Sequence, residues 1–218
     1  MPFTTEQFFD VFAAYNLATY PASVILTFIA FLAIGSTFWK WPRSPVLASI
    51  ALASLWIWSG LTYHIGFFSS INPLAIVFGI AFLIEAGLLL YTGVISRTLQ
   101  FRPALDLHTM LGGMVIIYAL VLYPLLGWLS GHIYPRNPTF GAPCPVTIFT
   151  LGLLLWARPP AWIIGIPVGW ALVATSASWF FGVLEDLALI PAAAVVIGIS
   201  SMSGWKKDDV TYKYVGEN

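Results

Sequence analysis

The sequence predicts an all-α, polytopic transmembrane helical bundle of about seven spans, with the N-terminus outside and the C-terminus in the cytoplasm. Composition, long apolar segments and the placement of basic residues together predict it. Hydrophobic residues make up 59% of the chain and charged residues 8%, whereas soluble domains carry about 25% charged residues. Because so few charges cannot cover a water-exposed surface, the solvent for most of the chain should be lipid.

Seven apolar segments provide the predicted spans. They cover roughly residues 21–38, 45–64, 73–95, 107–129, 145–157, 161–181 and 184–203. A bilayer core about 30 Å thick requires about 20 helical residues, and six of the segments approach that length. The fifth has about 13 residues, which reach only about 20 Å at about 1.5 Å per residue.

The basic residues predict the orientation. With the N-terminus outside, eight of the nine Lys and Arg residues fall on the inner side, and only Arg136 falls outside. The inner residues are Lys40, Arg43, Arg97, Arg102, Arg158, Lys206, Lys207 and Lys213. This asymmetry follows the positive-inside rule, and it requires an odd number of spans.

The N-terminal segment, residues 2–16, predicts an interfacial amphipathic helix on the outer membrane surface. Thr4 can cap this helix, because Gln7 stands three residues further on, as in a capping box. The apolar residues on one helical face are Phe8, Val11, Phe12 and Tyr15. At the other end of the chain, residues 204–218 predict a polar cytoplasmic tail, and residues 1–218 form a single transmembrane domain.

Residues 138–145 read PTFGAPCP and interrupt the apolar pattern with three prolines and the only cysteine. They predict a broken or re-entrant segment that enters the outer half of the membrane, with Pro145 starting the fifth helix at depth. The alternative is an ordinary outer loop followed by a short, tilted span. Irregular backbone at that depth must be covered by protein or line a water-filled cavity.

Polar residues predicted near this segment form a candidate ligand-binding site. They are His64, Thr139, Cys144, Thr147 and Asp186. The N-terminus of the fifth helix would direct its partial positive charge into the same space. Discontinuous helices of this kind often build binding sites in transporters.

A copper or zinc site at His64, His132 and Cys144 is a second hypothesis, because imidazole and thiolate suit both metals. No HExxH or CxxC spacing accompanies these residues, and a lone histidine at a helix end is more often a hydrogen-bonded boundary residue. No lysine lies inside a predicted span to bind retinal. His64 and His108 lie too far apart to hold haem, and nucleotide-binding motifs are absent from the sequence.

Glu85 lies near the middle of the third apolar segment. A carboxyl group there should be protonated, paired or directed into an internal polar cavity. Candidate hydrogen-bond partners are Tyr118, Thr175 and Ser176. A proton relay and a single structural hydrogen bond both remain open as roles for this intramembrane acid.

Three blocks of the sequence resemble a bacterial integral-membrane family known only as domain of unknown function 6064. These blocks are YHIGFFSSINP (63–73), GHIYPRNPTFGAPCPVTIFTLGLLLW (131–156) and GVLEDLALI (182–190). The resemblance runs over essentially the whole chain. It implies a multi-pass protein of the bacterial cytoplasmic (inner) membrane and adds no chemistry.

Two functional interpretations follow. The first is a small transport or binding protein whose outward-facing polar site lies at the broken segment. The alternative is a non-catalytic membrane subunit or assembly factor of a larger complex. The expected partners are the lipid bilayer and either other membrane subunits or further copies of the chain, and no feature indicates nucleic acid. No catalytic constellation is recognisable, which disfavours an enzyme.

Overall fold

Helices form nearly all the regular structure in the computed structural model, which describes residues 3–39, 41–157, 159 and 161–201. The α-helices are α1 (Thr5–Thr19), α2 (Ala22–Phe38), α3 (Ser44–Trp58), α4 (Ala75–Leu90), α5 (Leu107–Ile117), α6 (Tyr123–Leu129), α7 (Pro143–Ala157), α8 (Gly165–Phe181) and α9 (Leu189–Ser201). Outside the helices, these residues contain only an isolated bridge between Phe140 and Ala142. The predicted all-α class is therefore confirmed for the described residues.

Short π- and 3₁₀-helical turns extend several of the α-helices. They are Ser59–Phe67 and Phe68–Ser70 after α3, Tyr91–Ile95 after α4, Tyr118–Leu122 between α5 and α6, and Leu184–Ala188 before α9. Three long helices result, and they are the ones apolar and long enough to cross a membrane: Ser44–Ser70, Ala75–Ile95 and Leu107–Leu129.

The number of such helices is smaller than the seven spans predicted. Counting α1 and α2, which meet at an angle of 82°, as one broken span raises the number from three to four. α7 and α8 are apolar but have only 15 and 17 residues. Helices of that length fall short of the about 20 residues that a full crossing requires.

The predicted capping box at the start of α1 is confirmed. The Gln7 backbone N–H donates to Thr4 Oγ1 at 3.2 Å, and the Thr4 backbone N–H donates to Gln7 Oε1 at 2.8 Å. α1 then runs to Thr19, beyond the predicted end. The apolar face predicted for it is buried against the bundle, where Phe8 stacks on Phe181 with ring centroids 4.6 Å apart.

α7 is the central helix of the bundle. All its residues except Cys144 and Ala157 are buried, and α3, α5, α8 and α9 pack around it. A Cβ atom on Gly152 would lie 2.9 Å from the Gly112 carbonyl oxygen, so two glycines allow α5 and α7 to approach closely. Because protein surrounds this helix, its length need not match a bilayer.

The bundle has two distinct ends. The α1 end contains α1, residues 131–142 and the turn Leu184–Ala188. The opposite end contains the last residues of α7, where Trp156 O accepts a hydrogen bond from the Arg102 backbone N–H at 3.0 Å. The predicted inner basic residues Lys40, Arg158, Lys206, Lys207 and Lys213, and the predicted tail 204–218, lie outside the described residues.

Candidate functional site

Residues 131–142 are attached to α1 through the side chain of Asn16. Asn16 is buried, and its Nδ2 donates to the backbone oxygens of Pro135 at 2.6 Å and Asn137 at 2.8 Å. Its Oδ1 accepts from Thr139 Oγ1 at 2.7 Å. Nearby, Arg136 Nη2 lies 3.2 Å from Asp10 Oδ1. One amide side chain therefore fixes an irregular segment more than a hundred residues away in sequence.

At Gly141 the chain turns from residues 131–142 into α7. The φ angle of Gly141 is +109°, in the region that favours glycine. Its carbonyl oxygen accepts from Ser59 Oγ at 2.8 Å, and a Cβ atom here would lie 3.0 Å from Tyr15 Oη. α7 then begins at Pro143, where a missing N–H costs no intrahelical hydrogen bond.

A cavity of about 210 Å³ lies at the α1 end, between α1, α7, α8 and the start of α4. Aromatic side chains dominate its lining: Phe3, Phe8, Phe12, Tyr63, Phe68, Phe78 and Trp170. The polar side chains that line it are Asn72, Cys144, Ser176 and Asp186. An apolar concavity with a few convergent polar groups is the usual form of a small-molecule site.

Asp186 is the acidic residue of this cavity and lies in the turn before α9. Its side chain is 5% exposed, and its Oδ1 accepts a hydrogen bond from Tyr123 Oη at 2.5 Å. The Cys144 thiol and the Ser178 hydroxyl also lie beside the carboxyl group. These neighbours are all uncharged groups, and among the described residues no basic side chain pairs with Asp186.

The adjacent acid, Glu185, has a different environment. It is fully buried, and its Oε1 lies 2.9 Å from His132 Nδ1. A Cβ atom on Gly127 would lie 3.0 Å from the same oxygen, so the missing side chain makes room for the carboxyl group. Tyr118 Oη donates to the backbone oxygen of Glu185 at 2.8 Å. Glu185 Oε2 has no hydrogen-bond partner among the described residues.

The five predicted ligand-binding residues are only partly brought together. Cys144 and Asp186 line the cavity. Thr139 bonds to Asn16 and lines a neighbouring groove. Thr147 is buried and donates to the Pro143 backbone oxygen at 2.8 Å within α7.

His64 does not line the cavity but lies directly behind its aromatic wall. Its ring is fully buried, with centroids 4.7 Å from Phe82 and 4.8 Å from Trp170. Neither ring nitrogen has a partner among the described residues. The histidine is therefore enclosed by aromatic rings instead of facing the predicted site.

Tyr123 and Trp170 belong to the site but were not predicted. Tyr123 lies near the end of the fourth apolar segment, and Trp170 lies in the middle of the sixth. A buried carboxyl group requires donors, and phenol and indole groups at the ends of spans are the donors an apolar sequence offers. The need of a buried carboxyl group for a hydrogen-bond donor could therefore have indicated Tyr123 from the sequence.

The predicted copper or zinc ligands do not form one group. Among the described residues, no set of three or more His, Cys, Asp or Glu side chains is arranged to hold a metal ion. His132 is engaged by Glu185, Cys144 lies beside Asp186, and His64 is enclosed by rings.

The predicted partners of Glu85 were wrong. Glu85 is fully buried, and neither carboxyl oxygen has a partner among the described residues. The three candidate hydroxyls donate elsewhere: Tyr118 to Glu185 O, Thr175 to Ala171 O and Ser176 to Val173 O. Thr and Ser on helices commonly bond to the preceding turn of their own helix, which makes them unavailable to a neighbour.

A strongly apolar helical bundle with three or four candidate membrane spans and an aromatic-lined cavity at one end defines the class of this protein. The chain belongs to a family of unknown function, DUF6064, whose pattern matches residues 5–207. The match confirms the family indicated by the three sequence blocks. No curated protein and no solved structure matches the chain.

Proposed function

We propose that this protein is a multi-pass protein of the bacterial inner membrane that binds or transports a small molecule through the cavity at the α1 end. The observation that carries this proposal is the aromatic-lined cavity of about 210 Å³ with Cys144 and Asp186 in its wall. Binding pockets combine such apolar walls with a few polar groups that orient the ligand.

Charge distribution supports placing the α1 end outside. Arg97 and Arg102 follow α4 in the connection to α5, at the opposite end of the bundle, as expected for an inner boundary. Arg136, at the α1 end, is paired with Asp10 and contributes little net charge there. In this arrangement the helices α2 to α9 supply seven crossings, and the short α7 lies inside protein without contacting lipid.

Two π-helical turns, Ser59–Phe67 and Tyr118–Leu122, lie in or beside the site. π-Helical turns inside α-helices occur frequently at functional sites. The first carries Tyr63 of the cavity lining, and the second carries Tyr118 and leads directly to Tyr123. One π-helical turn thus contains Tyr63 of the cavity lining, and the other directly precedes Tyr123, which bonds to Asp186.

A non-catalytic membrane subunit is the second candidate function, and α8 favours it. Cβ atoms on Gly165 and Gly169 would meet nothing within 4 Å, so this GxxxG face is open within the described chain. GxxxG faces commonly pack against another helix in a membrane. Stable co-purification with a different protein would support this function.

Orientation is tested first, in intact spheroplasts, with cysteine variants made in a Cys144→Ser background. Ser130, after α6, and Ser96, after α4, are both exposed and lie at opposite ends of the bundle. A membrane-impermeant maleimide should label Ser130→Cys directly and Ser96→Cys only after permeabilisation. The reverse pattern would overturn the proposed orientation.

Access to the cavity is tested next with the natural cysteine, which is the only one in the chain. A cavity of this size should admit a small thiol reagent and exclude a bulky maleimide, so Cys144 should react with the first and resist the second. Ser130→Cys provides the matched exposed control and should react with both. Equal reactivity of Cys144 with both reagents would show an open loop in place of a cavity.

A further inference from the structure

We propose that the cavity selects a small organic cation, of the alkylammonium class, which pairs with Asp186 and packs against the aromatic wall. This inference rests on the proposed function, because it assigns a ligand class to the same cavity. Charge, wall chemistry and size each support it independently.

Two adjacent acids differ in whether a basic side chain accompanies them. Glu185 has a basic partner, His132. Asp186 is also buried, but its carboxyl group contacts only the uncharged side chains of Tyr123, Cys144 and Ser178 and lies near the acid Glu185. A buried carboxylate is costly unless a cation accompanies it. The missing counter-charge of Asp186 is therefore what a bound cation would supply.

The cavity provides no competing positive charge. Its lining, within the described part of the chain, contains no Lys, Arg or His. Of the basic side chains around this cavity, His132 is engaged by Glu185 and Arg136 by Asp10. The His64 ring does not line the cavity but lies behind Phe68 and Trp170, and neither of its nitrogens has a partner among the described residues. A ligand that carries its own carboxylate would meet Asp186 without any compensating base, so zwitterions and anions should be rejected.

The wall suits an alkylated cation. Seven of the lining residues are aromatic, and aromatic rings within about 6 Å of an ammonium group attract it through their π faces. The rings also support one another: Phe8 lies 5.2 Å from Phe12, Phe12 lies 5.3 Å from Tyr63, and Tyr63 lies 5.8 Å from Phe68 between centroids. Such a wall is formed before a ligand arrives, which reduces the ordering cost of binding.

The volume limits the size of the ligand. An apolar cavity of about 150 Å³ accommodates benzene, so a cavity of about 210 Å³ should hold a molecule only slightly larger. Choline has that size and carries a trimethylammonium group. Its uncharged tert-butyl isostere, in which carbon replaces the nitrogen, has the same shape and therefore isolates the effect of charge.

The test measures binding of choline and of its isostere to the full-length protein in detergent, by calorimetry and by Trp fluorescence. Choline should bind at least about tenfold more tightly than the isostere, and Asp186→Asn should remove that preference, because it removes the charge that pairs with the ligand. Glu185→Gln is the matched control, since Glu185 does not line the cavity, and it should preserve the preference.

A measurement on the unaltered protein guards against variants that fail to fold. Choline should slow the reaction of Cys144 with a small thiol reagent, while the isostere at the same concentration should not. Equal protection by both compounds would overturn the cation inference and leave small-molecule binding intact. Protection by neither would also overturn the inference, and the accessibility of Cys144 would then decide the proposed function separately.

Discussion

Polar side chains are buried differently at the α1 end and at His64 and Glu85. At the α1 end, Asn16, Asp186 and Glu185 each bond to residues distant in sequence. His64, in the turn Ser59–Phe67, and Glu85, in α4, are fully buried, yet their polar atoms have no partner among the described residues. A satisfied polar network rigidifies a structure, whereas an unpaired buried polar group is a cost. Glu185 Oε2 and Asn137 Oδ1 are also unpaired at the α1 end, but the bonds made by Asn16, Asp186 and Glu185 make it the more pre-organised of the two regions.

The largest expected effect is at Asn16. Asn16→Ala removes three hydrogen bonds and leaves two backbone oxygens and the Thr139 hydroxyl without their partner. Because each buried group left unpaired costs about 1–3 kcal/mol, the free energy of unfolding should fall by about 2–4 kcal/mol. Thermal unfolding in detergent measures this change, and Cys144 should react faster with thiol reagents as the segment loosens.

Asn137→Ala is the control for that variant. The Asn137 backbone oxygen accepts the bond from Asn16, whereas its side-chain Oδ1 has no partner. Losing that side chain should therefore change stability by less than about 1 kcal/mol. Equal destabilisation by the two variants would contradict the role assigned to the Asn16 side chain.

The next effect is at Tyr123. Tyr123→Phe removes the hydroxyl that donates to Asp186 and preserves the ring. Such a hydrogen bond contributes about 0.5–1.5 kcal/mol to a neutral carboxyl group and about 1.5–3 kcal/mol to a carboxylate, so a loss of about 0.5–3 kcal/mol is expected in denaturant or thermal titrations. Tyr134→Phe offers a comparison, because its hydroxyl makes only a long 3.4 Å bond to Asn16 O, and it should be nearly neutral.

The smallest expected effect is at Glu85. Since its carboxyl group has no partner among the described residues, Glu85→Gln should change the free energy of unfolding by less than about 1 kcal/mol. Proton flux in liposomes provides the functional measurement. A relay through this acid would make flux fall in the variant, whereas a purely structural acid would leave flux unchanged. A stability loss as large as that of Asn16→Ala would remove the contrast between the two regions.

Local features of the fold could be predicted from the sequence because short-range physics determines them. Thr4 and Gln7 indicated the capping box of α1, and Phe8, Val11, Phe12 and Tyr15 indicated its buried face. Apolar length indicated the helical segments, but it could not show that α7 is enclosed by protein. That enclosure depends on contacts such as Gly112 with Gly152, which bring separate helices together.

The candidate site was only half predictable because its contacts are long-range. Polar character near a helix break was enough to indicate Cys144 and Asp186. The bond from Tyr123 to Asp186 joins residues 63 positions apart, and the bond from Asn16 to Asn137 joins residues 121 apart. His64 and Thr147 were predicted from their nearness to the break, but helix rotation directs them elsewhere, into an aromatic enclosure and into α7 respectively.

The central claim is that the α1 end forms an outward cavity in which Asp186 favours cations beside Cys144. The most direct measurement compares the rates at which two methanethiosulfonate reagents of similar size, one with a trimethylammonium group and one with a sulfonate, modify Cys144 in spheroplasts. Each rate is divided by the rate at exposed Ser130→Cys. The account predicts a corrected preference for the cationic reagent of at least about tenfold, which disappears in Asp186→Asn. Equal corrected rates in the unaltered protein would contradict it.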